Sequence, residues 1–395
     1  MLRSKSSIAS LILLLCCIAS TASHATVIRV KWDSAIDGPG NDWSHAYRTV
    51  TAAIAASVSG GEIWVAGDSA HPYSERITQK AAVGLYGGFA GTETTRAKRN
   101  WKTNITILDG GGTGNVVTAP SGATATTVLD GFTIRNAQHG IWCETSSPWI
   151  TNNTIAGNTE SGITCSSSTP TITNNTISRN QISGITCTNS SSPLITFNTI
   201  SGNGTGITCT VSSPLITNNT LSGNSDGITC NSSSPTIANN VLTGNSQFGI
   251  SCTTSSSPAI TNNTVSGSST GISCSASASS ITNNIVAYSA KGIAVVGSEI
   301  PVLSNNCFYN PTGTNYDGLS AGSGDISTDP KFVSAEYGRL HIQQGSPCVD
   351  SGLDSAVQPS WKDMDGQLRL QGARVDMGAD ESDGTLWPEH LPVVV

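Results

Sequence analysis

A phrase of about 22 residues is repeated eight times between Leu129 and Phe308, and this repeat limits the folds open to the chain. The apolar residue ahead of each recurring Asn falls at Ile150, Ile172, Ile195, Ile216, Ile237, Ile260, Ile281 and Leu303, in steps of 21 to 23 residues. A Gly-Ile phrase keeps the same time from Gly140 to Gly292. A unit this short cannot bury its own apolar face, so copies must stack into a solenoid. Each unit breaks into three short runs, such as "LIT", "NTL" and "GITC", separated by Asn, Gly and Ser. Helical and leucine-rich repeats need helix formers or a leucine-dense consensus, and neither is present. Only 11% of residues are charged and 5% aromatic, which suits neither a helical core nor a disordered chain. The spacing predicts an all-β parallel β-helix of about 22 residues per coil, with coils about 4.8 Å apart.

In such a stack, equivalent residues form columns. Ile150 and its mates, Ile155 with Ile177, Ile200 and Leu221, and the Gly-Ile isoleucines are expected to point inward. Asn153, Asn175, Asn198, Asn219, Asn240, Asn263, Asn284 and Asn306 form a column suited to left-handed bends and to an amide ladder. Cys143, Cys165, Cys187, Cys209, Cys230, Cys252 and Cys274 are read as small apolar filler, because a line of thiols along one sheet lacks the convergent geometry of a metal centre. Cys307 and Cys348 lie outside that column and are left as a candidate pair.

Outside the repeat, residues 1–25 read as a cleaved signal peptide: Arg3 and Lys5, a short apolar stretch, then "SHA". Cleavage leaves 17 basic against 26 acidic residues, a net charge of −9, which disfavours nucleic acid as a partner. No later stretch is apolar enough to span a membrane. The expected organisation is an N-terminal cap and first coils over 26–120, repeats over 121–310, and a closing segment and tail over 311–395. A short helix over Thr49–Ser57 is expected to plug the first coil, and the C-terminal segment to close the last. A secreted monomer is expected.

The run "ITNNTI" followed by "SGN" and "GITC" resembles the right-handed parallel β-helix repeat of the pectin lyase-like superfamily. "DGPGNDWSHAYRTVTAAIAASVSGGEIWVAG" and "DPKFVSAEYGRLHIQQGSPCVDSG" resemble the flanks of secreted β-helix proteins. The resemblance implies right-handedness and a polysaccharide or cell-surface glycan as partner. The superfamily includes pectate lyases, polygalacturonases and epimerases.

The repeat itself offers little for catalysis. Between Ala137 and Ala290 the acids are Glu144, Glu160 and Asp226, in different columns, with Arg179 the only fixed cation. Paired carboxylates for glycoside hydrolysis do not assemble from that pattern. The first coils are richer. Trp142 and Trp149, pointing outward beside Arg135, are read as a sugar-stacking platform, and His139 and Glu144 as the candidate catalytic groups. The leading expectation is glycan association without clear catalysis. The alternatives are a polysaccharide lyase or glycoside hydrolase sited near the first coils, and a passive structural rod. "DMDG" suggests Asp363 and Asp365 as ligands of a structural calcium; no other cofactor is expected. The run Arg96, Lys98, Arg99 and Lys102 is read as a solvated loop.

Overall fold

The computed structural model describes residues 26–335 and 339–384. The predicted leader and the last residues of the tail lie outside them. Three parallel sheets of 12, 10 and 11 strands make a solenoid, here called sheets A, B and C. In one coil, Leu215–Thr217 lies in sheet A, Thr220–Ser222 in sheet B and Asp226–Asn231 in sheet C; Thr236–Ala238 then returns to sheet A. The register is in phase, with Ile216 on Ile237, Leu221 on Leu242 and Cys230 on Cys252. One continuous apolar core runs from Ile28 to Phe308, and the seven column cysteines are free thiols inside it. The Gly of each Gly-Ile phrase has a packing cause. A Cβ at Gly184 would sit 2.6 Å from the Gly206 carbonyl oxygen and 2.8 Å from Cγ2 of Ile200.

The bend from sheet A to sheet B is two residues long in all eight repeats, so the variation in repeat length falls in the other two bends. The two residues divide the tasks that the sequence reading gave to one Asn. The first residue takes the left-handed backbone: Asn152, Asn174, Phe197, Asn218, Asn239, Asn262, Asn283 and Asn305 have φ between 52° and 57°. The second, from Asn153 to Asn306, is buried and forms the ladder. The left-handed residue reverses the side-chain direction, so only its successor faces the bore. Asn198 Nδ2 donates to Asn219 Oδ1 at 3.0 Å and to the Ile172 carbonyl at 2.9 Å, and its own Oδ1 accepts from the backbone and side chain of Asn175. Asp325 ends the ladder by accepting from Asn306.

The other two bends carry ladders that the sequence reading missed. Asn158, Asn180, Asn203, Asn224 and Asn245 stack between sheets B and C. Ser168, Ser191, Ser212, Ser233 and Ser256 take backbone N–H donors between sheets C and A. Each bend therefore satisfies its buried backbone with side chains from neighbouring coils.

The ends are handled differently from each other. Val50–Ala56 forms a helix whose Val50 and Ala53 are buried at the first coil. Thr49 caps it, and Glu75 accepts from the Val50 and Thr51 amides. The first part of the C-terminal segment lies over the last coil, where Thr314–Asp317 pairs with Lys291–Val296 and Tyr316 and Leu319 pack on the core, and the chain beyond it turns back along the side of the rod. Leu340, Ile342, Cys348, Met377 and Ala379 pack on Val241, Ile285, Ala287 and Cys307 of sheet B. The cause is a change in the outward column of that sheet. It reads Thr154, Thr176, Thr199 and Thr220, then Val241, Thr264, Ile285 and Cys307, which creates an apolar strip that needs a cover. Cys307 and Cys348 lie in the same apolar cluster under this cover as free thiols, and Cys307 Sγ donates to the Thr328 carbonyl.

Asn198→Ala would leave the Asn175 amide and the Ile172 carbonyl buried without their partners. It is expected to cost about 3 kcal/mol in urea unfolding, whereas Thr199→Ala, on the exposed face, should cost under about 0.5 kcal/mol. Equal effects would remove the ladder's assigned role.

Candidate functional site

The outward residues of the A–B bend form a second column, and the two flanking segments share it. At its N-terminal end the column is glycine. Gly88 and Gly131 have φ of 89° and 85°, and a Cβ on Gly88 would lie 2.6 Å from Trp101 Cα. Their bareness lets the segment around Arg96–Asn104 pack onto the rod. At the C-terminal end the closing segment bonds to the column. Asn305 donates to the Ser351 carbonyl, Asn283 to Leu353, Asn262 to Asp376, and Asn218 to Lys362 and Asp363. Between these covers lie Asn152, Asn174 and Phe197.

This open stretch is the floor of a groove of about 550 Å³. Trp101, Lys102 and Ile105 line it at one end and Phe197 at the other, with the hydroxyls of Thr154, Thr176 and Thr199 along sheet B. From Gly131 to Phe197 the column climbs three coils, roughly 14 Å at the coil spacing. Phe197 is 45% exposed and holds the left-handed backbone that Asn takes in the other seven repeats. A bulky residue pays more than Asn for that conformation. Among the described residues, the groove lining contains no carboxylate and no histidine.

The basic run is solvated at Lys98 and Lys102, as expected from sequence, but not at Arg99, and Arg96 is paired. Arg99 is nearly buried, pairs with Asp130 at 2.6 Å, and donates to the Gly87 and Asp130 carbonyls. Its guanidinium lies 4.8 Å from the Trp101 ring centroid. Arg96 pairs with Glu62 at 2.6 Å over the Tyr86 ring. Glu62 and Tyr86 from before this segment and Asp130 from the strand after it hold Arg96 and Arg99, and Arg99 lies against Trp101 at the mouth of the groove.

The candidate residues of the first coils are dispersed. Trp142 points outward from sheet C and Trp149 from sheet A, so the two indoles do not share a face. Trp149 is exposed, and Trp142 lines a shallow depression with Glu144, Thr118 and Ser121. Arg135 lies on sheet B, paired with Asp109 at 3.0 Å. His139 and Glu144 sit at opposite ends of one strand, about 16 Å apart by strand rise. The partner of His139 is Glu160 of the next coil, at 3.1 Å from Nε2. Thr164 Oγ1 lies 3.0 Å from Nδ1, and the Trp142 ring is edge-on at 5.0 Å. Burial holds the His139 pKa below its ordinary value, and Glu160 opposes that shift.

In the closing segment, Asp363 is buried and spends its carboxylate on the Asp365, Gln367 and Glu381 amides. Asp376 likewise accepts from Asp350 and Ser382. Both carboxylates accept backbone amides that close turns, and Asp363 Oδ1 accepts the amide of Asp365. The Asp365 carboxylate contacts His341 at 2.9 Å. Arg369 is fully buried, donates to the Asp376 and Gly378 carbonyls, and lies 3.5 Å from Glu381.

Because the native state holds His139 neutral, the unfolded chain binds the proton more readily. Stability linked to this residue should fall as pH drops below about 6.5. In an NMR titration His139 is expected to titrate below that value, and lower still in Glu160→Gln. A titration unmoved by the substitution would show that Glu160 does not act on the ring.

A family model described as "Right handed beta helix region" matches residues 103–265. A second, described as "Periplasmic copper-binding protein (NosD)", matches residues 211–323. No curated protein matches in sequence. The solved structure of the pectate lyase Pel9A is similar over 91% of this chain and 98% of that one, with a TM-score of 0.61 and 14% identity. The catalytic unit of a GH87 alpha-1,3-glucanase from Streptomyces thermodiastaticus gives a TM-score of 0.49 at 15% identity, covering 71% of this chain and 65% of that one. The A-module of the Azotobacter vinelandii mannuronan C-5 epimerase AlgE4 gives 0.45 at 16% identity, covering 76% and 100%. With its parallel three-sheet coils and asparagine ladder, the chain has the right-handed parallel β-helix fold that it shares with the pectate lyase Pel9A.

Proposed function

We propose that the protein is an exported glycan-binding β-helix that holds an extended polysaccharide in the groove between Trp101 and Phe197. The observation carrying this reading is Phe197, an exposed ring on strained backbone at the open part of an otherwise asparagine column. A conformational cost at a surface position that packing does not require points to function. Aromatic faces with convergent amides and hydroxyls suit a sugar, which presents apolar ring faces and polar edges. Lys102 is the one charged residue in the lining, so it would favour a carboxylate on the ligand at that end. The polysaccharide named in the Pel9A pectate lyase accords with this class of ligand. Export is supported by the composition of residues 1–25 and by the word "periplasmic" in the second family description. No helix among the described residues is long and apolar enough to cross a membrane.

The residues do not fit the copper named in that family. Residues 211–323 contain no His and no Met. Cys230, Cys252, Cys274 and Cys307 are all buried. Hydrogen bonds to neighbouring thiols, together with burial, push Cys230 and Cys252 well above the ordinary thiol range, whereas a copper ligand must be a thiolate.

A second reading, a carbohydrate-active enzyme on sheet C, is favoured by the His139–Glu160 contact, since a carboxylate-oriented imidazole is a usable base. It predicts that a glycan is shortened by the protein and that Glu160→Gln stops this.

Phe197→Asn, which restores the column consensus, separates binding from folding. The substitution should raise the urea midpoint or leave it unchanged, and should weaken retention on the best-bound member of a neutral and uronate-rich polysaccharide panel at least tenfold. Full retention by the variant would contradict the groove as the binding site.

A further inference from the structure

We propose that His341, Asp365 and Asp380 form a site for one divalent transition-metal ion that fastens together three stretches of the closing segment. Their donor atoms, one from each residue, all lie within 4.8 Å of one another. The three come from different places in the chain. His341 is on the strand Arg339–Ile342, Asp365 is in the tight turn at Asp363–Gly366, and Asp380 follows Met377. Two backbone bonds hold the acids in place independently of the imidazole. The Ile342 amide donates to Asp380 Oδ2 at 2.7 Å, and the Met364 amide donates to the Ala379 carbonyl at 2.9 Å. Asp380 is buried and Asp365 is exposed, so the cluster has a closed inner wall and one side open to water.

The donor set decides the class of ion. Calcium takes six to eight oxygens, which one imidazole and two carboxylates do not supply. One nitrogen and two carboxylate oxygens suit zinc, manganese, cobalt or nickel, with water completing the shell. The nearby guanidinium of Arg369 is directed to the Asp376 and Gly378 carbonyls and to Glu381. A metal here would join the hairpin strand, the Asp363 turn and the final stretch that lies on sheet B. It would stabilise only the docked segment, so its effect should appear as a metal-dependent unfolding transition.

The test uses the full mature chain, stripped with EDTA and then dialysed separately against Zn²⁺, Mn²⁺ and Ca²⁺. The expected result is one Zn²⁺ or Mn²⁺ per chain, a rise in melting midpoint of about 5 °C at saturating metal, and neither effect with Ca²⁺. His341→Gln and Asp365→Asn should each weaken uptake at least fiftyfold while the metal-free melting midpoint stays close to wild type. Should a variant fail to fold, the wild type still decides: bound Zn²⁺ must protect His341 from diethyl pyrocarbonate, read by peptide mass. Absence of stoichiometric uptake, uptake undiminished in the variants, or modification of His341 at the metal-free rate would each overturn the site.

Discussion

The asparagine bend between sheets A and B is the contact on which the rest of the structure depends. A coil that turns in two residues leaves backbone donors facing a buried apolar bore. Each is satisfied by the amide of the next coil, as in the Asn175–Asn198–Asn219 run. That arrangement works only if successive coils stay in phase, so it fixes the register of all three sheets. It also forbids insertion at this bend, and length variation is pushed to the other two. Because the ladder residue points inward, its predecessor must point outward. The ladder thereby creates the surface column that both flanks exploit.

That surface column links folding to function. Glycine at Gly88 and Gly131 admits the Arg99–Trp101 segment. Asn218, Asn262, Asn283 and Asn305 offer amides to the carbonyls of the closing segment. The switch from Thr to Val241, Ile285 and Cys307 on sheet B supplies the apolar strip beneath the same segment. What neither flank covers is the short window at Asn152, Asn174 and Phe197. The groove is thus the stretch of rod left between two docked ends, and Phe197 marks it by departing from the column's own rule.

The period of the sequence made the stack readable because residues one period apart become neighbours about 4.8 Å away. The isoleucine, cysteine and asparagine columns follow from that projection alone. Contacts made by the non-repeating flanks do not. Arg99 meets Asp130 across 31 residues and Asn218 meets Asp363 across 145, and no periodicity relates them. The contact between His139 and Glu160 was missed for a subtler reason: they belong to different columns, and a side chain at a strand start reaches diagonally into the adjacent bend. Trp142 and Trp149 looked paired because they are close in sequence, but a bend between them sends their rings to different sheets. Two signals were present but unread. The Thr-to-apolar change at Val241 marks where the cover begins, and Phe197 is the single aromatic in an asparagine column.

The central claim is that a glycan occupies the window between the flanks. Hydroxyl-radical footprinting of the intact protein, with and without a retained polysaccharide, tests it most directly. The account predicts protection of Trp101 and Phe197, with Trp142 and Trp149 oxidised at unchanged rates. Protection of Trp142 or Trp149 with Trp101 and Phe197 unaffected would contradict it and move the binding surface to sheet C or to the outer face of sheet A.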